Sequence, residues 1–210
     1  MLFSASMVRA ILDGRKTQTR RVVTPAPVAD RSFRSGFYVA RPGDRLQRRV
    51  SLDAPAPCLA GVCPHGAPGE RLWVRETHAF VPATAYRASI GVEQAVNPKD
   101  IHEAAIYREG FDRSTGGIRW RPSIHMPRWA CRLVLEIAGV RVERLQSISD
   151  DDARAEGSSG GHGSIPGYGY SATPAEHFAH VWRDLYGDAS WQANPWVWVI
   201  DFKRVGVANG

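Results

Sequence analysis

Several short stretches of this sequence gather side chains that ligate, stack or move protons. Arg15-Lys16-Thr17-Gln18-Thr19-Arg20-Arg21 sets cations beside two hydroxyls. Taken alone, such a run is a solvated edge or a phosphate contact, with Arg21 suited to hold a carbonyl or phosphate oxygen through its N–H donors. Arg75 and Glu76 form a charge pair on an expected strand, and at least one of them is expected to line a pocket. His125, Met126, Arg128 and Trp129 place a guanidinium beside an indole. That combination contacts nucleic acid, although a Trp at a strand entrance also serves as core. Cys58, Cys63 and His65 are thiol and imidazole groups in the manner of a metal site, with His78 or Cys131 as further ligands. Their spacing is irregular for zinc, and loop or buried thiols explain them as well, so no metal and no other cofactor is assigned.

The elements that must position these groups follow from periodicity and caps. Ser4 to Asp13 reads as a helix, because Met7, Val8, Ile11 and Leu12 share a face and Gly14 follows. Residues 24–67 are rich in Pro, Ala, Arg and Gly, and a loop-rich insertion is expected there, with short extended pieces near Phe37 to Ala40 and Leu46 to Leu52. Arg71 to Thr77 alternates as a core strand. Residues 79–130 predict a second long insertion, in which Phe80 to Trp120 reads as short strands or an irregular excursion, with a hairpin tip at Asp112 to Gly117. Cys131 to Leu145 reads as a long strand that Gly139 lets bend. Ser149 caps a short helix whose three aspartates suit the positive end of its dipole, and it ends at Glu156-Gly157. The glycine- and serine-rich stretch from Gly157 to Ser171, with His162, Tyr168 and Tyr170, is expected to be a lid or linker. Thr173, Pro174 and Glu176 open another helix, with an apolar stripe of Phe178, Val181, Trp182 and Leu185. Trp196 to Val205 is a closing strand, with Trp196, Trp198, Ile200 and Phe202 on one face. This order of elements fits an α+β barrel better than an alternating parallel sheet.

Bulk properties narrow the class. At 210 residues the chain suits one domain with its own core. Its 27 Lys and Arg against 21 acidic residues give a net charge of +6, which favours polyanionic partners or simply solubility. The odd number of cysteines and the lack of a leader-like apolar N-terminus make a cytoplasmic location the expectation. The apolar runs Leu133 to Val142 and Trp196 to Ile200 are too short to span a bilayer, so no membrane association is expected. No obligatory protein partner is implied.

The run Ile11-Leu12-Asp13-Gly14-Arg15-Lys16-Thr17-Gln18-Thr19-Arg20-Arg21 resembles the opening motif of ASCH proteins, a family with a PUA-like β-barrel fold. Pro68-Gly69-Glu70-Arg71-Leu72-Trp73-Val74-Arg75-Glu76 resembles that family's Gly-Asp-x-Leu strand. Asp152-Ala153-Arg154-Ala155-Glu156-Gly157 resembles its helix ending in Ala-x-x-Glu-Gly, and Trp198-Val199-Ile200-Asp201-Phe202 its closing strand. The pattern is similar to the phage- and prophage-associated branch, which Trp120 to Trp129 also resembles. It implies a single ASCH-like domain over 1–210, an α+β, PUA-like/ASCH β-barrel with flanking helices and long loop insertions at about 24–67 and 79–130.

Small bacterial members of this family hydrolyse the acyl amide of N4-acetylcytidine with a lysine, a threonine and a glutamate. The motif match places those roles on Lys16, Thr19 and Glu156, without metal, and makes a nucleoside or RNA the expected partner, with Arg21, Arg75, Glu76 and Arg128 as substrate-binding residues. Amide cleavage needs a base for the hydroxyl nucleophile and a proton donor for the leaving amine. Lysine is a base only when neutral, and near pH 7 its environment must supply roughly 4 kcal/mol to make it so. Residues three apart on a straight strand face opposite ways, so Lys16 and Thr19 meet only if the chain turns or bulges after Gly14. Two other readings compete. An RNA-binding module or ribonuclease requires an open basic groove, and a non-catalytic protein that binds a modified base requires only a polar shell.

Overall fold

The computed structural model of the chain describes residues 3–40, 49–113 and 116–206. Its helices are α1 (Ala5–Leu12), α2 (Ala56–Ala60), α3 (Asp150–Ala155), α4 (Pro174–Tyr186) and α5 (Asp188–Gln192). Its strands are β1 (Gln18–Val22), β2 (Val28–Ala29), β3 (Phe37–Ala40), β4 (Arg49–Ser51), β5 (Arg71–Trp73), β6 (His78–Pro82), β7 (Gln94–Asn97), β8 (Asp100–Tyr107), β9 (Val134–Arg144), β10 (Gly161–His162), β11 (Ser171–Ala172) and β12 (Trp196–Val205). The class is mixed α+β. Two compact units emerge: the first holds Met1–Gly14, Arg71–Leu135 and Arg204–Gly210, the second Arg15–Glu70 and Glu136–Lys203.

In the first unit, α1 starts where the Ser4 hydroxyl accepts the Met7 N–H. It buries Val8, Ala10 and Ile11, and Gly14 at φ +73° ends it in a conformation that glycine adopts without strain. Strand β8 lies between β6 and β7 in an antiparallel sheet, with His78 opposite Tyr107 and Gln94 opposite Ile106. Of the short strands and the irregular excursion left open for Phe80 to Trp120, strands are what form. The alternation was hidden because Ala104, Ala105, Ile106 and Tyr107 are buried in succession, as in a strand covered on both faces. Ser114 and Thr115, at the expected hairpin tip, lie outside the described residues. Ala105, Tyr107, Met126, Ala130, Cys131 and Val134 form a core on which Trp73, Phe80 and Trp129 pack at the rim.

In the second unit, β12 stands between β1 and β9, and β1 pairs with it antiparallel, Thr19 opposite Ile200. The one-faced pattern expected for this strand is too simple. Val197 and Val199 are as buried as Trp198 and Ile200, since helices cover one face and the other is also closed to water. Leu145, Ala153, Phe178, Trp182, Val197 and Val199 make the core under α3 and α4. The expected stripe on α4 is narrower than the sequence suggests, for Leu185 is 45% exposed. Ser149 caps α3 and Thr173 caps α4 through a reciprocal capping box with Glu176, as their spacing predicts. The segment expected as a loop-rich insertion contains an antiparallel β2-β3-β4 sheet and α2. Part of its second extended piece, Leu46 to Arg48, lies outside the described residues.

The glycine-rich stretch after Glu156 is tied down rather than loose. Strands β10 and β11 pair, Gly161 opposite Ala172, and the Gly160 N–H donates to His177 Nδ1 at 3.3 Å. Gly160 sits at φ +67°, where a Cβ would lie 2.6 Å from the Ala172 carbonyl oxygen.

Candidate functional site

Asp13 and Gly14 form a turn at the end of α1, and the chain from Arg15 to Thr17 has no regular secondary structure. Residues Arg15 to Thr17 precede the regular strand, and the Thr17 N–H donates to the Ala155 carbonyl at 2.8 Å while the Thr17 carbonyl accepts from Phe202. This irregular lead-in fastens Lys16 against the end of α3. Glu156 caps that helix, its N–H donating to the Asp152 carbonyl, and Gly157 at φ +98° turns the chain away.

Lys16 and Glu156 meet there. The Lys16 Nζ donates to the Glu156 backbone carbonyl at 2.8 Å and to its carboxylate Oε2. Both side chains are sealed, 0% and 4% exposed. Burial is the largest influence on Lys16 and pushes its amine below the ordinary lysine range; Glu156 opposes this, and the Arg21 and Arg20 guanidiniums add to it. Thr19 is buried as well, and its hydroxyl holds no hydrogen bond among the described residues. Alternation along β1 sends Thr19 and Arg21 to the face opposite Gln18 and Arg20. The Arg21 side chain donates to the Arg20 carbonyl at 3.3 Å.

A polar network that sequence reasoning missed surrounds the pair. Arg20 is fully buried: it donates to the Gln18 side-chain carbonyl, to Glu143 at 3.3 Å and to Asp152 at 3.2 Å, and it lies 5.8 Å from the Phe178 ring. Its Nη1 is 3.9 Å from Glu156 Oε1. Arg141 bridges Glu143, Asp152 and Asp201, and the Gln18 amide donates to Asp152 and Asp201. Burial alone would raise the Asp152 carboxyl, yet the Gln18 amide and the Arg141 and Arg20 guanidiniums hold it below its ordinary range. Among the described residues, Arg20 Nε and Glu156 Oε1 are buried with no hydrogen-bond partner. The available signal was the period-two spacing of Lys16, Gln18 and Arg20, and of Arg141 and Glu143, which reads as a solvated strand face when only hydropathy is considered.

The expected binding residues Arg75, Glu76 and Arg128 belong to the first unit. Glu76 is spent on structure: Arg132 grips both its oxygens, at 2.9 and 2.7 Å, and also reaches Glu93 and the Glu109 carbonyl. Burial raises the Glu76 carboxyl above its ordinary range against the pull of Arg132. Arg75 stacks 4.3 Å from the Trp73 ring and donates to the Ile124 carbonyl, and exposed Arg128 lies 5.6 Å from the same ring. Cys58 is exposed, whereas Cys63 and His65 line a cavity of about 320 Å³ with Glu70. Among the described residues no three His, Cys, Asp or Glu side chains gather as a metal site would require.

No family model matches the chain, and no curated protein and no solved structure is matched either. Among the described residues no helix is long and apolar enough to cross a membrane.

Proposed function

We propose that the second unit is a metal-independent amidohydrolase that removes the acyl group from N4-acylated cytidine or a related modified nucleoside, on an ASCH-like, PUA-related barrel. The observation that carries this reading is the sealed Lys16–Glu156 pair with an unspent donor and an unspent acceptor beside it. Each unsatisfied buried atom costs about 1–3 kcal/mol, a cost that a purely structural ion pair has no reason to bear.

The chemistry follows from moving one proton. Burial disfavours the protonated amine of Lys16, and in the proposed cycle the proton it shares with Glu156 passes to that carboxylate, which sets a base and an acid side by side. The amine takes the Thr19 hydroxyl proton as Oγ bonds to the acyl carbon. Glu156 gives its proton to N4 as the C–N bond breaks, and cytidine leaves. Water then attacks the acyl-threonine, losing a proton to the Glu156 carboxylate while the Lys16 ammonium returns one to Oγ. The carboxylic acid departs and the pair is restored. Arg21 serves to hold a substrate oxygen or phosphate.

The test is release of cytidine from a series of N4-acylated cytidines by the wild type and by Lys16→Ala, Thr19→Ala and Glu156→Ala. Turnover by the wild type with loss in all three variants is expected. Failure of the wild type on every acyl group removes the reading, and full activity in the variants removes the assigned roles.

A further inference from the structure

The first unit carries a cluster of guanidinium groups laid on aromatic rings. Arg75 is 4.3 Å and Arg128 5.6 Å from the Trp73 ring centre; Arg121 is 4.5 Å from that of Phe80, which in turn stacks on Trp129 at 5.4 Å. Trp73, Phe80 and Trp129 all pack, partly buried, against the same buried cluster. Arg121 and Arg128 are exposed and Arg75 is half-exposed, while the three rings are only partly buried. Two short 3-10 turns, Ser123–His125 and Arg128–Ala130, project the segment, and the Arg75 bond to the Ile124 carbonyl fastens the first of them. Among the described residues no carboxylate lies within ion-pair distance of Arg75, Arg121 or Arg128, although the chain pairs many of its other arginines.

We infer that this surface binds single-stranded nucleic acid. A guanidinium over a ring gains from the cation–π contact and can still donate to phosphate oxygens or stack on a base. Uncompensated charge attracts any polyanion, but alternating planar groups favour one whose repeating units are themselves planar, which singles out unstacked bases over duplex or acidic peptide. The inference is independent of the amidohydrolase reading, since it draws on no residue of the Lys16 site.

The experiment uses the full chain and fluorescence anisotropy with a labelled oligouridylate and oligothymidylate, against the matching duplex, heparin and polyglutamate as competitors. Contacts to about three phosphates predict that affinity for the single strand falls about 20-fold between 50 and 200 mM salt. The triple variant Arg75→Ala/Arg121→Ala/Arg128→Ala should lose most of that slope, whereas the triple Arg→Lys variant keeps the slope but binds several-fold more weakly through lost stacking. A wild-type slope retained in the Ala variant overturns the inference. So does equal preference for duplex, heparin or polyglutamate, or no binding at low salt. The substituted side chains lie at the surface, and an unchanged circular dichroism spectrum shows that the variants remain folded.

Discussion

A lysine amine closed off from water beside a carboxylate is held together by one proton and strained by its own desolvation. Removing either partner leaves a buried charge uncompensated, so Lys16→Met should destabilise the chain by about 3–5 kcal/mol in urea unfolding, and adding Glu156→Leu should recover much of that loss. An additive double variant would contradict the pairing. The folded amine titrates below its value in the unfolded chain, near 10.5, so the folded state binds fewer protons between those two values. Stability attributable to Lys16 therefore rises with pH across that window, and the cost is fully present below it. Comparing wild type with the Lys16→Met/Glu156→Leu double variant over alkaline pH isolates this dependence, and a parallel pair of curves would argue against it. At this scale legibility was uneven. Lys16 and Glu156, 140 positions apart, could be joined from sequence only through motif resemblance. Arg20 could not be placed at all, since its burial depends on Glu143 and Asp152 arriving from β9 and α3.

Elements whose ends are written locally were the most readable. Ser4, Ser149 and the Thr173–Glu176 box act within a single turn, so each cap announces its helix without knowledge of the rest of the chain. Thr173→Ala should cost about 1 kcal/mol in thermal unfolding. The sheet of β6, β7 and β8 was legible only as one of two alternatives, for the opposite reason: burial of every residue in the second half of β8 follows from neighbours on both sides and erases the alternation that marks a strand. The stretch after Glu156 also changes character once its contacts are known. Gly160→Ala drives a Cβ into the backbone of Ala172, Thr173 and Pro174, whereas Gly163, at a similar positive φ, has open space around it. Gly163→Ala should cost about 1 kcal/mol, and Gly160→Ala clearly more, with loss of amide protection at Gly161 and His162 in hydrogen exchange. Equal effects at the two glycines would show that β10 and β11 are not anchored through Gly160.

For the whole molecule, the order of elements foretold an α+β fold, and composition a basic character that left open where the charge lies. The positive groups divide by purpose: Arg20, Arg132 and Arg141 are consumed by carboxylates, while Arg75, Arg121 and Arg128 meet none among the described residues. Side-chain type alone does not separate the two groups, because pairing is settled by which acids the fold delivers. A mechanism built on lysine, threonine and glutamate needs no metal, so exhaustive chelation should leave turnover unchanged; inactivation by chelator and recovery with zinc would point instead to the thiols and imidazole around Cys63. The most direct trial of the account is the pH dependence of kcat/KM on N4-acetylcytidine for wild type and Lys16→Met. The wild type should show a rising limb below the ordinary lysine range, as the amine loses its proton, and the variant should be slower by about 100- to 10,000-fold with that limb gone. Absence of cytidine release at any pH, or a variant that keeps both rate and limb, would contradict the account.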